Sequence, residues 1–214
     1  MSQTVAVVGP CGAGKSSIVK AFSAISGVFS MEESVTTTES CFESYEKLDI
    51  AEIQKEFILS PTRITIPSDT HTVIRDRIEI EAAEVFLPMH LTLGGITAEQ
   101  NKELHQLVEH VSQTVATPSA LLLVNAPKDI LLARITGSRP PWLVESFDYQ
   151  LELYEKMFRR LSGPAVLIDT SIIPEKSYTK IAEWLLQTLA DVTQRNTLPS
   201  NEQFGLQWTI LHAQ

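Results

Sequence analysis

Short apolar runs alternate along the chain with longer stretches in which apolar residues recur at helical spacing. The run at 4–8 is rich in β-branched residues and stops at Gly9, which is typical of a buried strand. The same two patterns predict further strands at 28–31, 72–76, 120–125 and 165–169, and helices at 15–25, 49–59, 79–90, 97–115, 128–135, 145–161 and 176–192. This alternation predicts a parallel sheet with helices on both faces.

Glycine or acidic residues stand where three of the predicted strands end. Gly9 follows the first strand, Glu32 and Glu33 follow the second, and Asp76 closes the third. Ligands of open parallel sheets bind beyond the carboxyl ends of the strands. The sequence therefore predicts that these residues surround one ligand.

The chain of 214 residues has the length of a single domain, which we assign to residues 1–195. The remaining segment, 196–214, is first polar and then apolar at 206–211. It is predicted to be either an added edge strand or a docking segment, and the sequence does not decide between the two.

Composition narrows the class of protein. Hydrophobic residues make up 43% and charged residues 20%, an ordinary globular balance. The net charge of −9 argues against nucleic acid or an anionic membrane as the main partner, because both require a basic face. Cys11 and Cys41 are too few for a disulfide scaffold. No apolar run approaches the roughly 20 residues of a membrane span, and the first strand pattern starts at Thr4, so we expect a cytoplasmic protein.

A phosphate-binding loop is the most specific motif. Residues 9–16 match G-x-x-x-x-G-K-[ST] without a mismatch, between a predicted strand and a predicted helix. Glycines let backbone N–H groups surround a phosphate, and the helix N-terminus adds partial positive charge. We predict that Lys15 bridges the outer phosphates and that the Ser16 hydroxyl binds Mg²⁺. The predicted ATP site comprises Gly9, Pro10, Cys11, Gly12, Ala13, Gly14, Lys15, Ser16 and Ser17.

Other signatures of nucleotide-binding proteins are missing from the sequence. It has no N-K-x-D motif, which argues against a GTPase, and the strand pattern at 120–125 does not end in the Asp-Glu pair of motor ATPases. The length suits a small-molecule kinase. Such an enzyme needs a base for the acceptor hydroxyl, arginines near the moving phosphoryl group and a lid that excludes water.

Four further stretches, together with the phosphate loop, resemble the deoxynucleoside kinases over residues 9 to about 158. They are Met-Glu-Glu-Ser at 31–34, the segment 53–58 with Gln54, the Asp-Arg segment at 76–86, and the arginine-bearing segment at 132–139 followed by 149–155. The likeness is nearest to deoxyadenosine, deoxyguanosine and deoxycytidine kinases. It implies a P-loop kinase fold of three α/β/α layers, with a five-stranded parallel sheet and an arginine-bearing lid.

The resemblance also implies roles for individual side chains. Glu32 is the expected catalytic base, with Glu33 as the alternative, since adjacent residues on a strand point to opposite faces. Arg77 is expected to act in catalysis with Lys15 and to contact the acceptor. The remaining expected roles are metal binding by Ser16 and Asp76, lid contacts to ATP by Arg134 and Arg139, and acceptor binding by Gln54 and Tyr45.

The predicted function is transfer of a phosphoryl group from ATP, with Mg²⁺, to the 5′-hydroxyl of a nucleoside, with a homodimer as an open option. A nucleotide or a modified base is the alternative acceptor, because Arg63, Arg75 and Arg77 could neutralise a second phosphate. A third reading is a non-catalytic nucleotide-binding subunit. It arises because Ile78 replaces the family's serine and because the lid carries two arginines where three are usual.

Overall fold

A seven-stranded sheet forms the centre of the computed structural model, which describes residues 3–31, 47–195 and 197–213. The strand order is β2-β3-β1-β4-β5-β7-β6. The strands are β1 (Gln3–Val8), β2 (Val28–Met31), β3 (Thr72–Asp76), β4 (Ala120–Asn125), β5 (Gly163–Asp169), β6 (Ser200–Asn201) and β7 (Leu206–Leu211). Strands β1 to β5 pair in parallel, whereas β7 runs antiparallel to both β5 and β6. The five predicted parallel strands are confirmed, and the tail extends the sheet by two antiparallel strands.

Helices cover both faces of this sheet. They are α1 (Lys15–Ser23), α2 (Ile50–Leu59), α3 (Glu79–Glu81), α4 (Leu87–Thr92), α5 (Ala98–Thr114), α6 (Lys128–Ile135), α7 (Pro141–Glu145), α8 (Phe147–Arg160) and α9 (Tyr178–Arg195). Short 3-10 turns occupy Ser60–Arg63 and Glu175–Ser177. None of the helices in the described part of the chain is long and apolar enough to span a membrane.

The alternation of side chains along the central strands divides the core between the two faces. Val7 of β1 packs in one cluster with Phe22 of α1 and Leu185 of α9. Its neighbour Val8 belongs to a second cluster on the other face, with Met157 of α8. Because both faces are covered, the strands are continuously apolar, as the sequence pattern predicted. A third cluster joins α2, α5 and the start of α4 beyond the second face.

The segment predicted as one helix over 79–90 is interrupted. Residues Ala82–Phe86 form a turn of π-helix between α3 and α4. Pro88 explains the interruption, because it has no N–H to donate to the carbonyl of Glu84 and its ring crowds that carbonyl. The predicted helix is therefore present, but the sequence pattern did not predict its π turn. A π turn is often found where a helix contributes to a binding site.

Other boundaries differ by a few residues. The helix predicted over 145–161 begins at Phe147, and the short helix α7 precedes it. The last helix extends beyond its predicted end to Arg195. In the tail, Trp208 of β7 is buried against the core and its indole N–H donates to the Thr188 hydroxyl at 2.8 Å. The domain boundary after residue 195 stays a prediction.

Candidate active site

The phosphate loop lies between β1 and α1, at the carboxyl edge of the sheet. A side chain at Gly9 would place its Cβ 2.0 Å from the carbonyl oxygen of Val124, so the loop can pass β4 only with glycine there. Gly14, with φ of 89°, caps α1 in the left-handed region. The chain can therefore form this tight loop because glycine stands at both of these positions.

Lys15 is folded back into this loop. Its ammonium group donates to the carbonyl oxygens of Gly9 at 2.7 Å and Pro10 at 3.0 Å, and the residue is 6% exposed. Burial is the main reason why its pKa lies below the ordinary value, and the nearby charge of Arg77 acts in the same direction. Lys15 is thus held at the loop, and the two carbonyl contacts are the ones that a phosphate oxygen would replace.

Three side chains from distant parts of the chain hold the loop in place. Gln150 accepts a hydrogen bond from the Cys11 N–H at 3.2 Å, and Glu81 accepts one from the Gly9 N–H at 3.4 Å. The Thr170 hydroxyl donates to the carbonyl oxygen of Ala13 at 2.9 Å. Sequence reasoning missed all three, because their partners are between 72 and 157 residues away.

Ser16 and Asp76, the two predicted metal ligands, lie side by side. The Ser16 hydroxyl is 3.4 Å from Asp76 Oδ2. Asp76 ends β3, which pairs with β1, so the parallel register brings the strand end next to the phosphate loop. Hydroxyl and carboxylate oxygens are ligands that Mg²⁺ accepts, together with water and phosphate oxygens. Within the described ranges, no cluster of three or more His, Cys, Asp or Glu side chains forms an all-protein metal site.

Arg77 occupies a constrained position beyond β3. Its φ of 76° places it in the left-handed region, where residues other than glycine are uncommon. The guanidinium donates to the Tyr154 hydroxyl at 3.0 Å and lies 4.7 Å from the centre of the Phe86 ring. These contacts fix the direction of the side chain, whose exposed fraction is 10%.

Glu81 is the buried counter-charge of this region. It is fully buried, accepts from the Tyr154 hydroxyl at 2.8 Å, and lies 3.4 Å from the Arg77 guanidinium. Burial raises the pKa of its carboxyl group, while the charges of Arg77 and Lys15 oppose that rise. Sequence reasoning missed Glu81, although it stands three residues after Ile78, from whose N–H it accepts a hydrogen bond at 3.1 Å, and this is the spacing of a helix-capping glutamate.

A cavity of about 440 Å³ adjoins the phosphate loop. Ser16, Asp76 and Arg77 line it together with side chains of α2, α4 and the α7–α8 region. Its wall also contains Cys11, Lys20, Leu48, Ile50, Ile53, Gln54, Phe86, Met89, His90, Arg139, Pro140, Trp142, Leu143 and Gln150. The structure thus brings Gln54, Arg77, Asp76 and Arg139 to one space, as the predicted roles require.

Gln54 meets a histidine that sequence reasoning left without a role. Its side-chain nitrogen is 3.2 Å from His90 Nε2, and both residues are buried. Burial lowers the pKa of His90 to about 4, so the ring is neutral near neutral pH. The Gln54 Oε1 atom is buried and has no hydrogen-bond partner among residues 3–31, 47–195 and 197–213.

The two lid arginines occupy different places. Arg134, at the end of α6, donates to the carbonyl oxygens of Gly12 at 3.1 Å and Thr170 at 2.9 Å, and to the Thr170 hydroxyl at 2.8 Å. Arg139 is exposed and lines the cavity. Gly137, with φ of 75°, lies between them. One arginine therefore contacts the phosphate loop, and the other faces the cavity.

Glu32, Glu33 and Tyr45 lie outside the described residues, so their predicted roles stay predictions. Met31, the last described residue before them, pairs with Arg75 in the parallel register of β2 and β3. Strand β2 therefore ends at the same edge of the sheet as Asp76.

Comparison with known proteins gives one family. The model of the deoxynucleoside kinase family matches residues 5–140. Among curated proteins, no match is found. Solved structures of deoxyadenosine kinase from M. mycoides are similar in fold, at 16% sequence identity. The structure with the products dCMP and a flexible dCDP gives a TM-score of 0.69, over 87% of this chain and 100% of that chain. The structure with bound dATP gives 0.66, over 86% and 99% of the two chains.

Proposed function

The chain belongs to the deoxynucleoside kinase family, and from this premise we propose that it transfers the γ-phosphoryl group of ATP, with Mg²⁺, to the 5′-hydroxyl of a deoxynucleoside. Membership of the family makes the protein a nucleoside kinase, a transferase of nucleotide salvage. The donor, the metal ion, the acceptor and the individual residue roles are the proposal.

One observation carries the proposal: the phosphate loop and the 440 Å³ cavity share a wall at Ser16 and Asp76. The volume lies within the roughly 300–1,000 Å³ range of small-molecule sites. A nucleoside in this cavity would present a hydroxyl beside the loop that holds the triphosphate. Phosphoryl transfer depends mainly on such positioning and on charge stabilisation.

In the proposed reaction, a bond forms between the acceptor 5′-oxygen and the γ-phosphorus while the bond to the β-phosphate oxygen breaks, leaving ADP. The hydroxyl proton passes to the carboxylate of Glu32, with Glu33 as the alternative. The position of Met31, at the carboxyl end of β2 and paired with Arg75 of β3, supports this role, because the next residues continue from the edge of the sheet where Asp76 lies. Lys15, Arg77 and Arg139 carry the positive charge that faces the transferred group.

Ser16 and Asp76 are the residues that would hold Mg²⁺, since their oxygens lie 3.4 Å apart beside the phosphate loop. When bound, the ion would neutralise charge on the phosphate oxygens. Asp76 is 9% exposed, and the cationic side chains of Lys15 and Arg77 lie near it.

The positions of the other arginines support a nucleoside over a nucleotide as acceptor. Arg63 is exposed and makes two contacts to Glu56, at 2.5 and 3.1 Å. Arg75 is buried in an ion pair with Glu79. Neither lines the cavity, whereas Arg77 does. Of the three arginines that could neutralise an acceptor phosphate, one faces the site.

The test is a coupled assay of ADP release with purine and pyrimidine deoxynucleosides, the corresponding monophosphates, and no acceptor, each with ATP and Mg²⁺. We expect turnover with at least one deoxynucleoside, loss of turnover with EDTA, and a 5′-monophosphate as product. Turnover confined to monophosphates would replace the proposal with a nucleotide kinase. ADP release without any acceptor would indicate a hydrolase.

A further inference from the structure

We propose that Glu81 and Tyr154 are positioning residues that hold the Arg77 guanidinium beside the phosphate loop and so align the cationic groups that face the transferred phosphoryl group. The inference rests on the proposed function, since it takes Arg77 to act in phosphoryl transfer. It adds two buried side chains that do not line the cavity.

Arg77 needs support because its backbone is held in an uncommon conformation. Its φ is 76°, and its N–H donates to the carbonyl oxygen of Val7 at 2.9 Å, directly after β3 ends. A residue other than glycine stays in this region only where the surrounding contacts determine it. A long side chain also loses rotamer freedom when it is held in one direction. Contacts at the guanidinium must therefore select the orientation that faces the cavity.

Two aromatic rings, a hydroxyl and a carboxylate provide those contacts. The guanidinium carbon of Arg77 lies 4.7 Å from the centre of the Phe86 ring and 6.0 Å from that of Phe57, where aromatic faces attract a cation. Its Nη1 donates to the Tyr154 hydroxyl at 3.0 Å and lies 3.4 Å from Glu81 Oε1. The rings attract the charge without fixing its N–H groups, whereas the two oxygens fix the place of one nitrogen.

The Glu81 carboxylate joins Arg77 to the phosphate loop. Its Oε1 accepts from the Tyr154 hydroxyl at 2.8 Å and from the Gly9 N–H at 3.4 Å. Its Oε2 accepts from the Ile78 N–H at 3.1 Å. With the guanidinium, four donors converge on one fully buried carboxylate, a group that can accept several hydrogen bonds at once. A shift of any one donor is therefore opposed by the contacts to the other three.

Gly9 carries this alignment to Lys15. The Gly9 N–H donates to Glu81, and its carbonyl oxygen accepts from the Lys15 ammonium at 2.7 Å. The charge of Arg77 lowers the pKa of Lys15, whereas the charge of Glu81 raises it. The carboxylate is thus placed to offset the repulsion between two cations that must face the same phosphoryl group.

Helix capping alone does not account for this arrangement. Capping of α3 uses Glu81 Oε2 and the Ile78 N–H, and it does not involve the Tyr154 hydroxyl. Tyr154 lies on α8, 73 residues away, with its ring against Phe158 in the core. A phenylalanine would fill the same space, so the hydroxyl contributes hydrogen bonds rather than packing.

The first test is Tyr154→Phe, which removes one buried hydroxyl and keeps the ring. We expect kcat to fall by roughly tenfold to a hundredfold, as for a displacement of about 1 Å at a reacting group. The KM for ATP should change by less than about twofold, because the loop N–H groups stay in place. The matched control is Tyr149→Phe on the same helix, where the hydroxyl accepts from Thr92 at 3.2 Å and does not line the cavity. It should keep the parental kcat.

The second test is Glu81→Gln, which keeps the size of the side chain. Its amide replaces one acceptor oxygen with a donor that faces other donors, so kcat should fall at least as far as in Tyr154→Phe. The control is Glu84→Gln, whose carboxylate contacts Arg160 at 2.6 Å and does not line the cavity. Denaturant midpoints of all variants separate lost alignment from lost folding. If Glu81→Gln does not fold, Tyr154→Phe and its control decide.

Two further measurements show whether both residues act through Arg77. Arg77→Ala should lower kcat by roughly 10²–10³. Adding Tyr154→Phe to it should cost less than about threefold more, because the partner of the hydroxyl is already absent. Millimolar guanidinium should raise the kcat of Arg77→Ala by about fivefold or more, since the carboxylate and the hydroxyl can bind it. It should have no effect once Glu81→Gln is added.

Several results would overturn the inference. These are a kcat of Tyr154→Phe within about threefold of the parent, an equal loss in Tyr149→Phe, or an undiminished Tyr154→Phe effect in the Arg77→Ala background. Absence of guanidinium rescue in Arg77→Ala, or equal rescue when Glu81→Gln is added, would do the same.

The inference has a readout that does not need turnover. If the parent phosphorylates no nucleoside, its affinity for deoxyadenosine and deoxycytidine 5′-monophosphates is measured by calorimetry, because their phosphate would meet Arg77. Binding that weakens about tenfold in Tyr154→Phe and in Glu81→Gln, but not in the two controls, would support the inference and reject the proposed transfer. Unchanged affinity in these variants, or no binding by the parent, would reject both.

Discussion

The phosphate loop and the proposed acceptor cavity meet at Ser16 and Asp76, yet they are built differently. The loop is eight consecutive residues whose ligand groups are mostly backbone N–H groups. The cavity takes its polar groups from side chains on α2, β3, α4 and the segment before α7. The first region is specified by local sequence. The second exists only after helices distant in the chain have packed together.

This difference predicts how the two regions tolerate change. The loop is constrained by backbone geometry at Gly9, where a side chain would collide with β4. Gln54 contributes to the cavity through its side chain, so we expect a substitution there to change ligand preference more than the backbone path. We therefore expect the charged groups that determine the catalytic rate to lie near the loop. The side chains that determine substrate selectivity should lie on the helices around the cavity.

The largest effect is expected from removing the base. Glu32→Gln keeps the shape of the side chain and removes its ability to accept a proton, so we expect a loss of roughly 10²–10⁴ in kcat with little change in nucleoside affinity. Glu33→Gln is the matched control and should retain most activity. If Glu33→Gln shows the loss instead, the two roles are exchanged. If neither variant does, proton transfer at the acceptor side is not limiting.

Lys15→Ala should have the next largest effect on kcat, and it tests the role of the phosphate loop. Removing a charge that stabilises the transferred group costs roughly 10²–10³ in kcat. The fold should survive, since the hydrogen bonds of the Lys15 ammonium to described residues go to loop carbonyl groups alone. Lys55→Ala, at an exposed position on α2, is the control. Turnover above a tenth of the parental value would contradict the assignment of the phosphate loop.

Local periodicity was sufficient for most of the fold. A β-branched run of a few residues is enough to indicate β1, and the capping residues Thr97 and Gln100 mark the start of α5. The interruption at Ala82–Phe86 was missed, although Pro88 was a visible signal. The tail could not be assigned from its own pattern, because the pairing of β7 with β5 depends on a strand about forty residues earlier in the chain.

The site was predictable to the extent that a consecutive motif defines it. Residues 9–16 could be identified as a phosphate-binding motif from the sequence alone. Asp76 could be identified as a candidate site residue because it ends a predicted strand. The pairing of Gln54 with His90 spans 36 residues, and the contact of Gln150 to the loop spans 139. No local pattern encodes such contacts, so they were found only when the packing of α2, α4 and α8 was known.

A change of pH tests whether the Gln54–His90 pair is as buried as the cavity requires. The folded-state pKa of His90 is about 4, below the ordinary value of 6.5, so between these values the unfolded chain binds a proton that the folded chain does not. Its contribution to stability is present above pH 6.5 and is lost as the pH falls towards 4. Relative to His90→Leu, the parent should lose about 3 kcal/mol over this window.

The measurement is the denaturant dependence of unfolding for both proteins from pH 7.5 to 4. Glu81 acts in the opposite sense, because burial raises the pKa of its carboxyl group and its contribution is lost as the pH rises. Both proteins keep Glu81, so the difference between them isolates His90. A difference that stays constant across the window would show that His90 is hydrated, and the cavity wall would then be looser than the packing indicates.

The smallest effect is expected at the lid, where the comparison can be made between two arginines of one segment. Arg139 faces the cavity, so Arg139→Ala should lower kcat by about tenfold while the KM for ATP changes little, because its charge acts mainly as the phosphoryl group moves. Arg134 contacts the loop carbonyl of Gly12 and the Thr170 backbone. Arg134→Ala should therefore raise the KM for ATP as well.

Steady-state kinetics on both variants test this difference. Equal effects of the two substitutions on kcat and KM would mean that the lid acts as one charged unit. An unchanged kcat for Arg139→Ala would mean that residues 136–140 only connect α6 to α7.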